Sequence, residues 1–380
     1  MSKLLHIADL HLGFAHRYLG TRADERADEA VRIFERIIDW ACDPAQEISA
    51  ILIAGDLFET HAPDSEVVGR VLAALGKAVS AQKQVVTLPG NHDEYSYPES
   101  VYRGQAERWP GILVTSPTPQ RVASFDLDDA AVHLYSMAYT AGLSPDRLPQ
   151  IDTQDADVVR IALLHGTLDA APADRTYRID SKTLRAAGIH YAALGHIHKP
   201  RETRLVEGLA LYPGSPIGKG FDDPGVDHLV TVAFSGKRPV IERVPFPARC
   251  IESRQIDLAR FDTFDALVTG LEERADPERI VQLRLTGPRP AGFDPDHLRG
   301  RLESAFYHLE VDDLSIEIAA DEIASLEHQP TMRGLFTQLM HERLDEARAA
   351  SDTEREACLK LALRQGLTAF EEVGARGRES

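Results

Sequence analysis

Four apolar, strand-like runs in this chain each end in a short cluster of carboxylate, amide or imidazole side chains. The runs cover residues 4–8, 51–54, 85–88 and 191–194. The clusters that follow them are Asp9-Leu10-His11, Gly55-Asp56, Gly90-Asn91-His92-Asp93 and Gly195-His196-Ile197-His198. Because α/β folds build their sites at the carboxyl ends of neighbouring strands, we expect these clusters to meet. The sequence therefore predicts an α/β fold with one composite polar site.

The spacing within these clusters suits metal coordination. Asp9 and His11 are two residues apart, as are His196 and His198, and a chain that leaves a strand can aim both side chains at one point. Two divalent cations about 3.5 to 4 Å apart need a shared anionic ligand and a ring of further donors. We expect Asp56 to be the shared ligand. The pattern predicts hydrolysis of phosphate esters.

Each motif alone has an ordinary structural explanation, because Asp-x-His pairs are common and a lone histidine after a strand is usually a satisfied polar group. Their joint order favours a metal site, and a further strand, which begins at Ile161, is expected to end at His165. Gly55, Gly90 and Gly195 are expected to let the backbone turn sharply and to take no part in the chemistry.

These motifs resemble the calcineurin-like metallophosphoesterase superfamily, and within it the SbcD-type and MRN-complex nuclease subunits of DNA double-strand-break repair. The resemblance covers essentially the whole chain and is strongest over residues 4–216. Asp56-Leu57-Phe58 and Tyr212-Pro213-Gly214-Ser215-Pro216 match this branch more closely than the superfamily at large. The resemblance implies a DNA exonuclease and endonuclease that hydrolyses phosphodiesters at DNA ends.

The resemblance also implies a role for each site residue. It assigns one metal ion to Asp9, His11, Asp56 and His198, and a second to Asp56, Asn91, His165 and His196. A hydroxide activated by the two ions attacks phosphorus in line, while His92 stabilises the transition state or protonates the leaving oxygen. Asp93 is expected to hold the His92 imidazole and raise its basicity. The alternative for His92 is an ordinary turn residue.

Two Mn²⁺ ions are the predicted cofactors, because imidazole donors favour borderline ions over magnesium. Iron or magnesium is the alternative occupant of one position. Several relatives carry a histidine where this chain has Glu59, which leaves its treatment of duplex ends open.

We expect three domains. Residues 1–248 are predicted to form the metallophosphoesterase domain, a two-sheet β-sandwich flanked by helices, with helices over residues 23–41 and 65–80. Residues 249–325 resemble a small α/β capping domain that shapes DNA entry, or form a stabilising appendage. The pattern there predicts strand, helix, strand, helix, strand, over residues 251–258, 264–273, 280–285, 296–305 and 311–318. Residues 326–380 are predicted to form a C-terminal helical pair.

The two terminal helices are predicted over residues 332–349 and 353–373, the second with a capping box of Ser351 and Glu354. Apolar faces are expected on both helices, at Leu335, Phe336, Leu339, Met340 and Leu344, and at Leu359, Leu363, Leu367 and Phe370. Either the helices pack on the chain's own core, or they bind a partner. The resemblance favours an SMC-like coiled-coil ATPase.

Composition limits the location and the partners. The net charge of −18 argues against free-standing DNA binding, because Lys and Arg supply most affinity for phosphates. Bound cations and a basic partner would offset this negative charge.

The chain is expected to be a cytoplasmic protein without membrane contact. The three cysteines lack metal spacing, no secretory signal begins the chain, and no run approaches the roughly 20 apolar residues of a membrane span. The resemblance implies a homodimer, through residues 95–109 or 64–75.

Two other functions remain open. A small-molecule phosphodiesterase or phosphatase of the same superfamily would share the metal ligands, but it has no evident use for a cap and a terminal helix pair. A non-enzymatic scaffold for the ATPase would be expected to lose ligands, and every one is present.

Overall fold

The structure is a computed structural model, and it describes residues 2–128, 130–140, 143–153, 157–171, 176–287, 289–290, 292–315, 325–356, 358–359, 362–363, 366–367 and 370. The chain divides into two compact units, Met1–Ile251 and Glu252–Ser380. Each unit has hydrophobic clusters of its own.

The first unit contains thirteen strands and four α-helices among its described residues. The strands are β1 (Lys3–Ile7), β2 (Ile48–Ala54), β3 (Gln84–Leu88), β4 (Ile112–Leu113), β5 (Gln120–Leu127), β6 (Ala130–Ser136), β7 (Val159–Leu168), β8 (Tyr177–Ile179), β9 (Tyr191–Gly195), β10 (Arg201–Arg204), β11 (Leu209–Tyr212), β12 (His228–Ser235) and β13 (Arg238–Pro245). The α-helices are α1 (Ala23–Cys42), α2 (Ser65–Ser80), α3 (Val101–Gly104) and α4 (Ser181–Ala186).

The strands form two mixed sheets. The first has the order β13-β12-β1-β2-β3-β4, with β1 to β4 parallel and β12 antiparallel to β1. The second has the order β10-β11-β9-β7-β6-β5, with β8 paired to β7. Its four central strands, β11, β9, β7 and β6, are parallel. The α/β class and the two-sheet core are therefore confirmed.

The first sheet packs against the second sheet on one face and against helices on the other, because successive side chains of a strand point to opposite faces of a sheet. In β1 and β2, Leu4 and Leu52 pack with Leu134 and Leu163 of the second sheet. Their neighbours Leu5 and Ile51 instead join a cluster with α1 and α2. The sequence-predicted helices 23–41 and 65–80 are confirmed as α1 and α2.

One strand boundary was predicted wrongly. β7 does not end at His165 but continues to Leu168, because residues 166–168 pair with β8. His165 therefore projects from inside a strand, where it pairs with Gly195 of β9.

The second unit begins with a three-stranded sheet, in the order β14-β15-β16. Its elements are β14 (Ile251–Asp257), α5 (Phe264–Glu272), β15 (Asp276–Thr286), α6 (Pro295–Leu302) and β16 (Phe306–Asp313). The predicted order of strand, helix, strand, helix, strand is confirmed. The last strand was predicted over 311–318, but β16 begins at Phe306, where it pairs with Asp276 of β15. Residues 316–318 of that prediction lie outside the described residues.

The C-terminal segment contains helix α7 (Met332–Ala349), and the described residues 353–356, 358–359, 362–363, 366–367 and 370 that follow it are helical. The predicted helix end at 373 lies outside the described residues. The predicted capping residue was wrong, because Ser351 has left-handed backbone (φ 54°) and Asp352 instead accepts from the Arg355 N–H at 3.0 Å. Among the described helices, none combines the length and apolar character needed to cross a bilayer.

The apolar face predicted for α7 is divided in two. Met340 and Leu344 are buried with Leu363 and Leu367 of the following helix, and Phe336 packs against them. The side chains of Met332, Leu335 and Leu339 remain 73%, 50% and 49% exposed.

Candidate metal centre

The candidate site forms where strand ends from both sheets meet. The loops after β1, β2 and β3 in the first sheet carry Asp9, Asp56 and Asn91, so these three strands are neighbours as expected. The other two strands, β7 and β9, belong to the second sheet and carry His165 and the His196 loop. The site therefore lies between two sheets rather than along the edge of one.

Several site residues adopt backbone conformations that side chains other than glycine rarely adopt. Asp9, His11, Asp56 and His196 have φ values of 57°, 49°, 50° and 100°. Such conformations cost of order 1 to 3 kcal/mol each and persist where the surroundings impose them. Here the Asp9 N–H donates to Gly55 O at 3.1 Å and the His11 N–H donates to Asp56 O at 3.0 Å, which ties the first two loops together.

All three predicted support glycines are required by close approach, and a Cβ on Gly195 would lie 1.8 Å from Ala54 O. A Cβ on Gly55, whose φ is 88°, would lie 2.1 Å from His165 Nδ1. A Cβ on Gly90 would lie 2.1 Å from Asp56 Oδ1. All three distances are far below van der Waals contact, and a side chain at Gly55 or Gly90 would displace a candidate ligand.

The first group of candidate ligands consists of Asp9, His11 and His198, whose ligand atoms all lie within 4.8 Å of one another. The Nε2 atoms of His11 and His198 are 3.0 Å apart. Asp9 and His11 are buried, and the Oδ2 atom of Asp9 is a buried atom without a hydrogen-bond partner among the described residues. Because buried polar atoms are normally paired, this orphaned oxygen fits a site for a cation.

The second group surrounds His165, whose Nε2 lies 2.9 Å from Asn91 Oδ1 and 3.3 Å from Asp56 Oδ2. His196 Nδ1 is 3.2 Å from the same Asn91 oxygen. Asp56 Oδ2 also lies 3.7 Å from His11 Nε2 in the first group. Asp56 thus stands between the two groups, which fits the predicted shared ligand. The buried His/Asp clusters are consistent with a binuclear metal site.

Burial and proximity shift the pKa values of these groups in opposite directions. Burial raises the pKa of the Asp9 carboxyl to about 6. Burial would also raise the pKa of Asp56, but the His165 and His11 imidazoles lower it below its usual value. Despite burial, the Asp56 and Asp9 carboxylates raise the pKa of His165 to about 9. Burial and the charge of His165 lower the pKa of His196 to about 4.

His92 is the exposed member of the site, with 39% of its side chain accessible. Its backbone N–H donates to Asp56 Oδ1 at 2.9 Å, and its ring meets the His11 ring edge-on with centroids 4.7 Å apart. Its Nδ1 lies 3.2 Å from Glu59 O and 3.9 Å from Glu59 Oε1. The imidazole is therefore accessible to a substrate beside the first ligand group.

The predicted pairing of Asp93 with His92 is wrong. Asp93 is fully buried, and its carboxylate accepts from Gly90 N–H at 2.6 Å, Phe58 N–H at 3.1 Å and Tyr102 O–H at 2.6 Å. The side chain following His92 points inward because its carboxylate is tied to these buried donors. Asp93 thus joins the loop that carries Asp56 to the loop that carries Asn91.

Three side chains near the ligands were not predicted as site residues: Glu59, Lys219 and Asp223. Glu59 Oε2 accepts from His11 Nδ1 at 2.8 Å and from Lys219 Nζ at 2.9 Å. Asp223 Oδ2 accepts from His198 Nδ1 at 2.5 Å. The spacing of these residues carries no ligand pattern, and only the fold brings them to the histidines.

Comparison with known proteins places the site in a family. The model of the calcineurin-like phosphoesterase family matches residues 2–200. The chain belongs to this family, and is a metallophosphoesterase related at low identity to Mre11 and SbcD proteins.

The "DNA double-strand break repair protein Mre11" of Aeropyrum pernix is 27% identical over 68% of this chain and 64% of its own length. The SbcD component of the SbcCD nuclease of Rhodobacter capsulatus is 24% identical over 76% of this chain and 81% of its own. Against the Mre11 proteins of Aeropyrum pernix and Methanopyrus kandleri, the chain spans 64% and 48% of the relative's length. Among solved structures, TT1561 of Thermus thermophilus is 10% identical over 64% of this chain and 98% of its own, with a TM-score of 0.40.

Proposed function

We propose that this protein is a two-metal DNA nuclease that hydrolyses phosphodiester bonds at DNA ends in double-strand-break repair. The observation that carries the proposal is the position of Asp56 Oδ2, within 3.7 Å of His11 Nε2 and 3.3 Å of His165 Nε2. The relatives named as Mre11 and as the SbcD component of a nuclease support DNA as the substrate.

The proposed ligands of one ion are Asp9, His11, Asp56 and His198, and those of the other are Asp56, Asn91, His165 and His196. Mn²⁺ is the proposed ion at both positions because imidazole donors are prominent in both sets. When bound, the ions would neutralise charge on the phosphate and lower the pKa of water for attack on phosphorus.

In this proposal His92 donates a proton to the leaving oxygen or a hydrogen bond to the transition state. Its accessible ring and the hydrogen bond from its backbone to Asp56 support this role, because a general acid needs both access and fixed position. Burial keeps bulk water away from four of the proposed ligands, Asp9, His11, Asp56 and His165.

The proposed partners are DNA, a second copy of this chain and an SMC-like coiled-coil ATPase. The exposed stripe Met332, Leu335 and Leu339 on α7 supports docking of the ATPase, since it is an apolar helix face outside the core of its own unit. The proposed cap is residues 249–325, and the proposed partner-binding segment is residues 326–380.

The deciding experiment compares wild type and His92→Ala on end-labelled single-stranded, duplex and hairpin DNA, with Mn²⁺, beside a small chromogenic phosphodiester. We expect His92→Ala to cleave DNA about 100-fold or more slowly while binding Mn²⁺ normally. His328→Ala, which removes another exposed histidine, is the control and should cleave as wild type does. Turnover of the small ester with every DNA left intact, even with the ATPase added, would identify a small-molecule phosphodiesterase instead.

A further inference from the structure

One short turn, residues 219–223, contacts Nδ1 of His198 directly and reaches Nδ1 of His11 through Glu59. Asp223 Oδ2 accepts directly from His198 Nδ1 at 2.5 Å. Lys219 Nζ donates to Glu59 Oε2 at 2.9 Å, and the same oxygen accepts from His11 Nδ1 at 2.8 Å. The two ends of one turn therefore hold two imidazoles from distant parts of the chain.

The turn has its own internal hydrogen bonds. The N–H groups of Lys219 and Gly220 both donate to Asp223 O, at 2.9 and 3.2 Å, and the Asp223 N–H donates to Gly220 O at 3.1 Å. The Lys219 ammonium also lies 4.6 Å from the centre of the Phe14 ring, a distance typical of a cation–π contact. These contacts fix the separation between the Lys219 and Asp223 side chains.

The carboxylates determine which nitrogen of each ring is available to a metal. An ionised carboxylate only accepts hydrogen bonds, so His11 and His198 each donate from Nδ1 and present an Nε2 lone pair. Those Nε2 atoms are 3.0 Å apart. Two lone pairs at that distance repel each other unless a cation or a proton lies near both.

The second ligand group is oriented by different means. His165 Nδ1 donates to the backbone oxygen of Ala54 at 2.8 Å, and His196 Nδ1 faces Asn91 Oδ1 at 3.2 Å. The turn at 219–223 therefore acts on the rings of one group only.

We propose that Glu59, Lys219 and Asp223 are positioning residues for one of the two metal ions. The inference rests on the proposed function, since it requires that the two ligand groups bind two ions. Outer hydrogen-bond partners of ligating histidines typically change metal affinity by about 10- to 100-fold. Loss of either carboxylate is therefore expected to weaken the binding of one ion by that factor. The affinity for the other ion should not change.

The test is a Mn²⁺ titration of the full chain, followed by calorimetry and by the electron paramagnetic resonance of coupled ion pairs. Wild type should bind two ions and show the coupled signal. Asp223→Asn and Glu59→Gln, both nearly isosteric, should retain one ion at wild-type affinity, bind the second about 10- to 100-fold more weakly, and lose the coupled signal at low Mn²⁺. Asp222→Asn is the matched control, because it removes the same charge from an exposed position of the same turn.

The outcomes separate this inference from the proposed function. A wild-type protein that binds no ion contradicts the proposed function. Two ions bound in wild type, with both affinities unchanged in Asp223→Asn and Glu59→Gln, overturn the inference alone. An equal loss of affinity for both ions also overturns the inference, because the turn would then stabilise the whole site. If one variant does not fold, the other decides, since the two act on different imidazoles of the same group.

Discussion

Asp93 shows how a buried residue can determine where the ligands lie through hydrogen bonds to residues that are not ligands themselves. Its carboxylate connects Phe58, two residues after Asp56, with Gly90, one residue before Asn91, and it also accepts from Tyr102. Burial and the nearby Asp56 carboxylate raise the pKa of Asp93 to about 6. Each hydrogen bond to this carboxylate therefore stabilises both its charge and the spacing of the two loops.

Removal of the Tyr102 hydroxyl tests this connection. Tyr102→Phe is expected to lower the free energy of unfolding by about 1 to 3 kcal/mol, because it leaves a buried acceptor short of a donor. We also expect about tenfold slower phosphodiester cleavage, because the loops would no longer be held together. Tyr191→Phe is the control, since it removes another fully buried hydroxyl, whose hydrogen-bond partner is His6 Nδ1. Equal losses of activity in the two variants would contradict a positioning role for Asp93.

His6 gives a pH prediction that is independent of the metal ligands. It is fully buried in β1, its Nδ1 is 2.7 Å from Tyr191 Oη of β9, and burial lowers its pKa to about 3. Between pH 6.5 and about 3 the unfolded chain therefore binds a proton there that the folded protein does not. Stability is lost as the pH falls, by about 2 kcal/mol from this group between pH 7.5 and 5.

The measurement is urea unfolding of wild type and His6→Gln at both pH values, with saturating Mn²⁺. Between pH 7.5 and 5, the free energy of unfolding of wild type should fall by about 2 kcal/mol more than that of the variant. The glutamine of the variant can still form a hydrogen bond with Tyr191. Identical pH dependence in the two proteins would show that His6 is not the group responsible.

At the scale of single residues, the sequence predicts the candidate metal ligands better than the residues that position them. Asp9, His11, Asn91 and His196 follow apolar strands at short spacing, so local pattern alone brings them to strand ends. Glu59 and Asp223 reach His11 and His198 across 48 and 25 residues. No local pattern encodes those contacts, and the same limit explains why Asp93 was paired with its neighbour His92 instead of Tyr102.

At the scale of elements, helix α7 combines a core face with an exposed apolar stripe. Helical periodicity predicts one broad apolar face, but it cannot tell which part of that face a neighbouring helix covers. In the structure the following helix covers Met340 and Leu344 and leaves Leu335 and Leu339 about half exposed. The capping error at Ser351 has a similar cause, because serine and aspartate are both favourable N-caps and are adjacent here.

The two faces of α7 predict different effects of leucine truncation. Leu344→Ala is expected to cost about 2 to 5 kcal/mol of stability, because Leu344 is 3% exposed and its loss leaves a cavity. The double variant Leu335→Ala/Leu339→Ala should change stability by less than about 1 kcal/mol. If the stripe binds the proposed ATPase, the double variant should bind the purified cognate ATPase more than about tenfold more weakly. Unchanged binding in the double variant would exclude the stripe as the docking surface.

At the scale of the whole molecule, charge is the main constraint on the proposed function. A net charge of −18 disfavours approach to DNA, since phosphate binding depends on cations. Two bound divalent ions would offset the negative charge of the carboxylates at the site while the rest of the surface stays acidic. The division into sheets and units follows from periodicity and turn signals, whereas β9 belongs to the second sheet because of a tertiary pairing with β7 that no local signal specifies.

Metal binding should stabilise one unit of the chain and not the other. All proposed ligands lie in Met1–Ile251, so ions at about 100 times their dissociation constants should stabilise that unit by about 2.7 kcal/mol for each of the two ions. In the core strands β1, β2 and β9, each bound ion should slow amide hydrogen exchange by about 100-fold where exchange requires unfolding of the unit. Exchange in Glu252–Ser380 should not change.

Hydrogen exchange followed by mass spectrometry, with Mn²⁺ and with a chelator, measures both units in one sample. Asp56→Asn is the control, because it keeps the shape of the proposed shared ligand and removes its charge, and it should lose most of the Mn²⁺-dependent protection. Protection that rises equally in both units would mean that Mn²⁺ acts outside the proposed site. Protection that does not change in either unit would mean that the buried carboxylates and imidazoles stabilise this fold without an ion, and the two-metal proposal would fail with it.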